Sequence, residues 1–148
     1  MQHPHRELAL RWFEEIWNQR RLETADELLH PEIRGHMEGQ EVNSPQEFRV
    51  VASEILTALP DLRIVVEDVI ADDRAAVVRW HFDATHTGHG LGCSPTQRCV
   101  TCTGMTWFEF RDGKIIEGWD RWNQTALMQQ LQAPVAAQQA RQTSFQGI

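Results

Sequence analysis

Between residues 5 and 20 the apolar positions Leu8, Ala9, Trp12, Phe13, Ile16 and Trp17 recur at helical spacing, with Arg11, Glu14, Glu15 and Asn18 on the other side. That pattern predicts an amphipathic first helix. A shorter helical stretch around residues 25–29 is stopped by Pro31, and a brief extended piece, IRGHME, follows. The next helix carries its own start signal: Ser44 can cap, Pro45 suits the first helical position, and Glu47 completes a Ser-x-x-Glu capping box. Phe48, Val51, Ala52, Ile55 and Leu59 form its apolar stripe.

After the run LPD the apolar period falls from about 3.6 to 2. LRIVVEDVIA and AAVVRWHFDATH flank the polar turn DDR and predict a hairpin. TGHGLGCSPTQR is a loop by composition, CVTCTGMTWFEF and KIIEGWDRW predict a second hairpin about RDG, and TALMQQL predicts a closing helix. If Arg111-Asp112-Gly113 forms a three-residue loop with Gly113 in a left-handed bulge position, Phe110 pairs with Lys114 and Phe108 with Ile116. Thr106, Phe108, Phe110, Ile116, Gly118, Asp120 and Trp122 then share one face. Trp107, Glu109, Ile115, Glu117, Trp119 and Arg121 share the other. A two-residue loop is the poorer expectation, because it sets Phe108 opposite Glu117. Helices first, then an antiparallel meander, then a helix predict an α+β fold with a curved sheet wrapped around the helices.

Length and charge narrow the picture further. A chain of 148 residues suits one domain, expected over residues 1–132, followed by a Gln- and Ala-rich tail, 133–148, with little to bury. Lys and Arg total 14 against 21 Asp and Glu, for a formal charge of −7, and no basic stripe appears. No nucleic acid and no membrane surface are expected as partners. The N-terminus lacks the uninterrupted apolar core of a secretory signal, so a cytoplasmic location is expected. Cys93, Cys99 and Cys102 are an odd number without a second CxxC pair, and read as reduced thiols in a sheet. His81, His86 and His89 lack a completing carboxylate or cysteine at a known spacing, so no metal is expected. Phosphate loops, Gly-x-Ser-x-Gly elbows and His-Glu-x-x-His helices are missing from the sequence.

FEEIWNQRRLETADELLHPEIRGH, THTG, SPTQR, FRDGKIIEGWD and LMQQL fall in the order seen in SnoaL-like polyketide cyclases, within the superfamily of nuclear transport factor 2 and ketosteroid isomerase. The chain resembles that family over roughly residues 8–131. The resemblance implies a cone-shaped α+β barrel of mainly antiparallel sheet, with an internal apolar pocket and frequent dimerisation. It also implies ring closure of a polyketide by an intramolecular aldol reaction, without metal or organic cofactor. By the same resemblance Asp120 is the acid–base carboxylate of the last strand, His86 of THTG and His36 of RGHMEG are pocket histidines, and Trp17 lines the pocket. Three places depart from the family pattern. Gly118 replaces the histidine of EHWD, Asn123 stands where a second aspartate is frequent, and His89-Gly90 replaces an acidic and a large apolar residue.

Proton removal beside a carbonyl needs a base whose pKa is raised from about 3.9 toward neutrality, and burial among tryptophans does this to a carboxyl such as Asp120. The competing reading is a structural ion pair with Arg79 or Arg121. His86 ends the apolar row Val78, Trp80, Phe82, Ala84, and either helps orient substrate or Asp120 or is a satisfied rim histidine. Trp17, Trp80, Thr106, Phe108 and Trp122, with His36, are the expected substrate-binding wall. Arg79, His81 and Asp83 read as a solvated or interface face.

The expected function is cofactor-free acid–base chemistry on a small, apolar, carbonyl-bearing substrate. The alternatives are a non-catalytic binding module, toward which Gly118 and Asn123 point, and a hydrolase or ketosteroid-type isomerase using the same carboxylate. The outer face of the second hairpin, with Trp107, Ile115 and Trp119, predicts a homodimer in which Glu117 meets Arg121 of the other chain. The alternative cover is the tail, through Val135 and Phe145.

Overall fold

The computed structural model describes residues 3–132. The expectations for the tail, Val135 and Phe145 included, lie outside the described residues. Helix α1, Pro4–Arg11, is capped by His3 and runs without interruption into a π-helical stretch, Trp12–Asn18. The sequence predicts one regular α-helix here; the chain instead widens its turns, and Gln19 N–H reaches Glu14 O at 2.9 Å. With more residues per turn, the adjacent pairs Trp12–Phe13 and Ile16–Trp17 are all buried.

Helix α2, Thr24–Leu28, leads straight into strand β1, Leu29–Met37. Pro31 therefore lies inside a strand, where pairing with the last strand shifts between Leu29 and Arg34 and no N–H is demanded of it. The short β2, Gln40–Val42, precedes α3, Pro45–Ala58. The capping box forms with one change. Ser44 Oγ accepts from Glu47 N–H at 3.1 Å, and Glu47 Oε2 accepts from Asn43 N–H, one residue earlier than the usual partner.

Strands β3, Arg63–Ala71, β4, Ala75–Thr85, β5, Cys99–Arg111, and β6, Lys114–Trp122, precede α4, Gln124–Gln132. The strand order is β2-β1-β6-β5-β4-β3. Among the described residues only the β1–β6 pairing is parallel. The sheet curves around the helices but does not close, so the expected barrel is an open one. Trp12 bridges the layers, with its ring 4.4 Å from Phe48 of α3 and 5.6 Å from Phe108 of β5. No helix among the described residues is long and apolar enough to cross a membrane.

The register of the β5–β6 hairpin corrects the sequence expectation. Arg111 pairs with Lys114, so the loop is the two residues Asp112 and Gly113, with φ of 54° and 75°. Positive φ at both positions marks the primed turn that matches strand twist, and Asp-Gly is among its favoured pairs. A bulge between Glu109 and Phe110 then resets the pairing, placing Glu109 opposite Glu117 and Phe108 opposite Gly118. The bulge removes the clash that made a two-residue loop unattractive. Its consequence is that Ile115, not Ile116, is buried in the core. Beyond the bulge the expected faces hold: Thr106 pairs with Asp120.

Candidate active site

Asp120 lies on the inner face of β6, two residues before the strand's end. Across the ladder, Thr106 donates its hydroxyl hydrogen to Asp120 Oδ1 at 2.5 Å, while its oxygen accepts from Trp80 Nε1–H at 2.9 Å. A hydroxyl has one hydrogen to give, and the indole N–H can only donate. Trp80 thereby directs the Thr106 hydrogen at the carboxylate. The indole reaches this position by crossing Gly104, its partner in the β4–β5 ladder.

Burial pushes the Asp120 carboxyl up to about 6, opposed by the Thr106 hydrogen bond and by the Arg121 charge, and assisted by Glu38. Burial also pushes the Cys102 thiol up to about 12, with the Asp120 charge adding to the effect. Neither arginine considered for an ion pair takes the Asp120 carboxylate. Arg79 bonds Glu67 at 2.8 Å, and Arg121 bonds the backbone oxygens of His36 and Asp120 at 3.2 and 2.8 Å.

Two apolar cavities meet at this carboxylate. The first, a cavity of about 50 Å³ between β1, β6 and α3, is lined by Leu29, Ile33, Val42, Phe48, Phe108 and Ile115. The second, of about 60 Å³, is lined by Trp17, Ile55, Leu62, Trp80, Phe82, Leu91 and Trp122. Asp120, Trp12 and Met37 line both. Of the sequence-derived wall, Thr106 and Phe108 therefore fall on the first cavity and Trp17, Trp80 and Trp122 on the second.

The two histidines take other positions. His86 is fully buried but lines neither cavity. Its Nδ1 accepts from Thr96 N–H at 3.3 Å, and its Nε2–H donates to Gly90 O at 3.2 Å. These bonds fix the tautomer and tie down the loop 87–98. The same loop holds Leu91 at φ 59° against the second cavity. His36 borders the first cavity, yet strand pairing sets it beside Trp119 on the outer face. Its ring stacks on Trp119 at 5.3 Å, and its nitrogens meet Glu41 and Glu117 at 2.6 and 2.7 Å. Neither histidine touches Asp120.

Asn123 caps α4 through Oδ1 and Ala126 N–H at 2.9 Å, a role aspartate fills equally well. Among the described residues no three His, Cys, Asp or Glu side chains are grouped to hold a metal ion. Sequence reasoning missed Met37, Leu91 and Gly104 as parts of the site. It treated Trp12 and Phe13 as core alone, although both line the second cavity. The only signal for Gly104 was a glycine inside a β-pattern, which often marks close approach.

The sequence model of the family described as SnoaL-like polyketide cyclase matches residues 7–131. No curated protein matches the chain significantly. Among solved structures, a protein of Jannaschia sp. CCS1 provisionally assigned as a SnoaL-like polyketide cyclase superposes with a TM-score of 0.82 at 25% identity, over 88% of this chain and 93% of that one. AclR of Streptomyces galilaeus, provisionally assigned as a hydroxylase, gives 0.76 at 28% identity over 88% and 96%. IdmH of Streptomyces antibioticus, provisionally assigned as a polyketide cyclase, gives 0.74 at 23% identity over 89% and 100%, and carries the fold alone.

Proposed function

The chain belongs to the SnoaL-like polyketide cyclase family, and we propose that Asp120 is its acid–base residue, acting on a small, apolar, carbonyl-bearing substrate without a cofactor. One observation carries this reading: a carboxylate pushed up to about 6 stands where two apolar cavities meet, with a hydroxyl directed at one of its oxygens. Thr106 takes Oδ1, which leaves Oδ2 to reach the substrate. Oδ2 removes a proton from a carbon beside a carbonyl, and the resulting enolate carbon attacks a second carbonyl of the same molecule. The new alkoxide recovers the proton from Asp120, so the carboxylate is regenerated and no atom is lost. Trp80 and Thr106 are positioning residues in this scheme, and His86 acts through the loop that presents Leu91.

The test is deuterium exchange at C2 of 1-phenylbutane-1,3-dione, followed by NMR above the buffer rate. Wild type should accelerate exchange and Asp120→Asn should not. Equal acceleration by both proteins would reject Asp120 as the base. A binding module without chemistry would bind the dione and leave exchange at the buffer rate.

The outer sheet face supports a second copy of the chain as partner. Met105 and Trp107 are 55% and 40% exposed beside Val77 and Trp119. The details differ from the sequence expectation. Ile115 is in the core, and Glu117 is held by His36 of its own chain, so the dimer rests on Met105, Trp107 and Trp119 rather than on a Glu117–Arg121 pair.

A further inference from the structure

Gly118 is paired with Gly35 across the parallel β1–β6 ladder, and both line the first cavity. A Cβ at Gly118 would stand 3.7 Å from Trp107 O and 3.8 Å from Phe108 Cδ1, which is ordinary contact. Packing therefore does not demand glycine at this strand position, where glycine weakens a sheet. Any longer side chain would project into the first cavity, two residues from Asp120 and on its face. What glycine preserves is the cavity. Its walls are mostly apolar, with Thr106, Asp120 and His36 as the polar side chains, so water has few polar partners within it.

We infer that Gly118 keeps open a second apolar subsite, and that the substrate is two-lobed: an acidic carbon between carbonyls lies against Asp120, with one apolar ring or chain in each cavity. The assignment rests on Asp120 as the proposed base. Geometry gives the reason for two lobes, since Asp120, Trp12 and Met37 are common to both cavities. A carbon placed at the carboxylate has apolar space on two sides. A carbon flanked by two carbonyls is also acidic enough for a carboxylate of this strength, whereas a simple ketone is far weaker as an acid. Gly118 is then a specificity-determining position, selecting for substituent size on the β1–β6 side.

The experiment compares two probes on the full-length protein by calorimetric titration: 1-phenylbutane-1,3-dione, with one ring, and 1,3-diphenylpropane-1,3-dione, with two. Wild type should bind the two-ring probe about tenfold more tightly. Gly118→Leu, which fills the cavity, should reduce that ratio of affinities about tenfold. Gly118→Ala adds a Cβ the fold accommodates, and should reduce the ratio about threefold even if the leucine variant fails to fold. Equal affinities in wild type, no binding of either probe, or a ratio unchanged in the variants that fold would overturn the inference. Deuterium exchange of the one-ring probe reports separately on Asp120. Absent exchange with the Gly118-dependent ratio intact would remove the catalytic reading and leave the subsite standing.

Discussion

A Cβ on Gly104 would stand 2.4 Å from Cζ2 of Trp80 and 2.9 Å from Arg121 O, so the indole occupies space that only glycine leaves open. This contact lets Trp80 Nε1 reach Thr106, and Thr106 in turn face Asp120. Gly104→Ala should displace the indole, cost about 1–3 kcal/mol of stability as overpacked cores do, and slow exchange of the dione probe. Denaturant unfolding and the exchange assay check both effects. Unchanged values in both would show that the indole is not held by this approach.

The pH dependence follows from the raised carboxyl. Exchange that needs ionised Asp120 should rise through pH about 6 and level off above it. Thr106→Val removes a donor that holds the value down, so the midpoint should move to higher pH. A midpoint that stays fixed or falls would contradict the hydrogen-bond assignment.

Stability carries the same signature with a definite sign. An unfolded Asp titrates at about 3.9, and the folded carboxyl at about 6. Between these values the folded chain binds more protons than the unfolded one, so this group makes the fold less stable as pH rises through the window, by up to about 3 kcal/mol. Asp120→Asn lacks the titration. Its melting temperature relative to wild type should therefore increase from pH 4 to pH 7, and a difference that shrank over that range would be the wrong sign.

His86→Ala should leave Gly90 O and Thr96 N–H without their ring partner, at about 1–3 kcal/mol for each group that stays buried. The loop 87–98 should then exchange its amide hydrogens faster, and Leu91 should leave the second cavity. Hydrogen-exchange mass spectrometry reads the loop, and one-ring probe affinity reads the cavity. Full protection in the variant would show that the ring does not hold the loop.

Trp107→Glu would place a carboxylate beside Glu109, which accepts from Trp107 Nε1 at 3.1 Å and from Arg74 at 3.2 Å. If two copies meet through Met105, Trp107 and Trp119, light scattering should show a wild-type dimer at micromolar concentration and a monomeric variant. A monomeric wild type, or a variant that stays dimeric, would rule out this face.

Local chemistry made much of the fold legible in advance. Ser44, Pro45 and Glu47 announced α3 because their side-chain and backbone preferences act within one turn. The alternation after Leu59 announced the meander, because a half-buried strand has to alternate. The inner position of Asp120 followed from period 2 once a register was chosen. The turn was not legible in this way: two left-handed residues and a bulge suit the strand twist better than a three-residue loop, and bulges are settled by pairing along the whole ladder. That shift exchanged the burial of Ile115 and Ile116.

By itself, then, the sequence determined the order and type of most elements and brought Asp120 to the face shared with Phe108, since both depend on spacing between near neighbours. Only the tertiary structure decided what surrounds Asp120. Thr106, Trp80 and Gly104 meet it through three adjacent strands, and Met37 comes from β1 through the parallel β1–β6 pairing. Long-range pairing likewise decided that His86 would hold a loop and that His36 would face outward to Glu41, Glu117 and Trp119. A side chain's partner across a ladder is fixed by pairing between residues tens of positions apart, and no local periodicity carries that information.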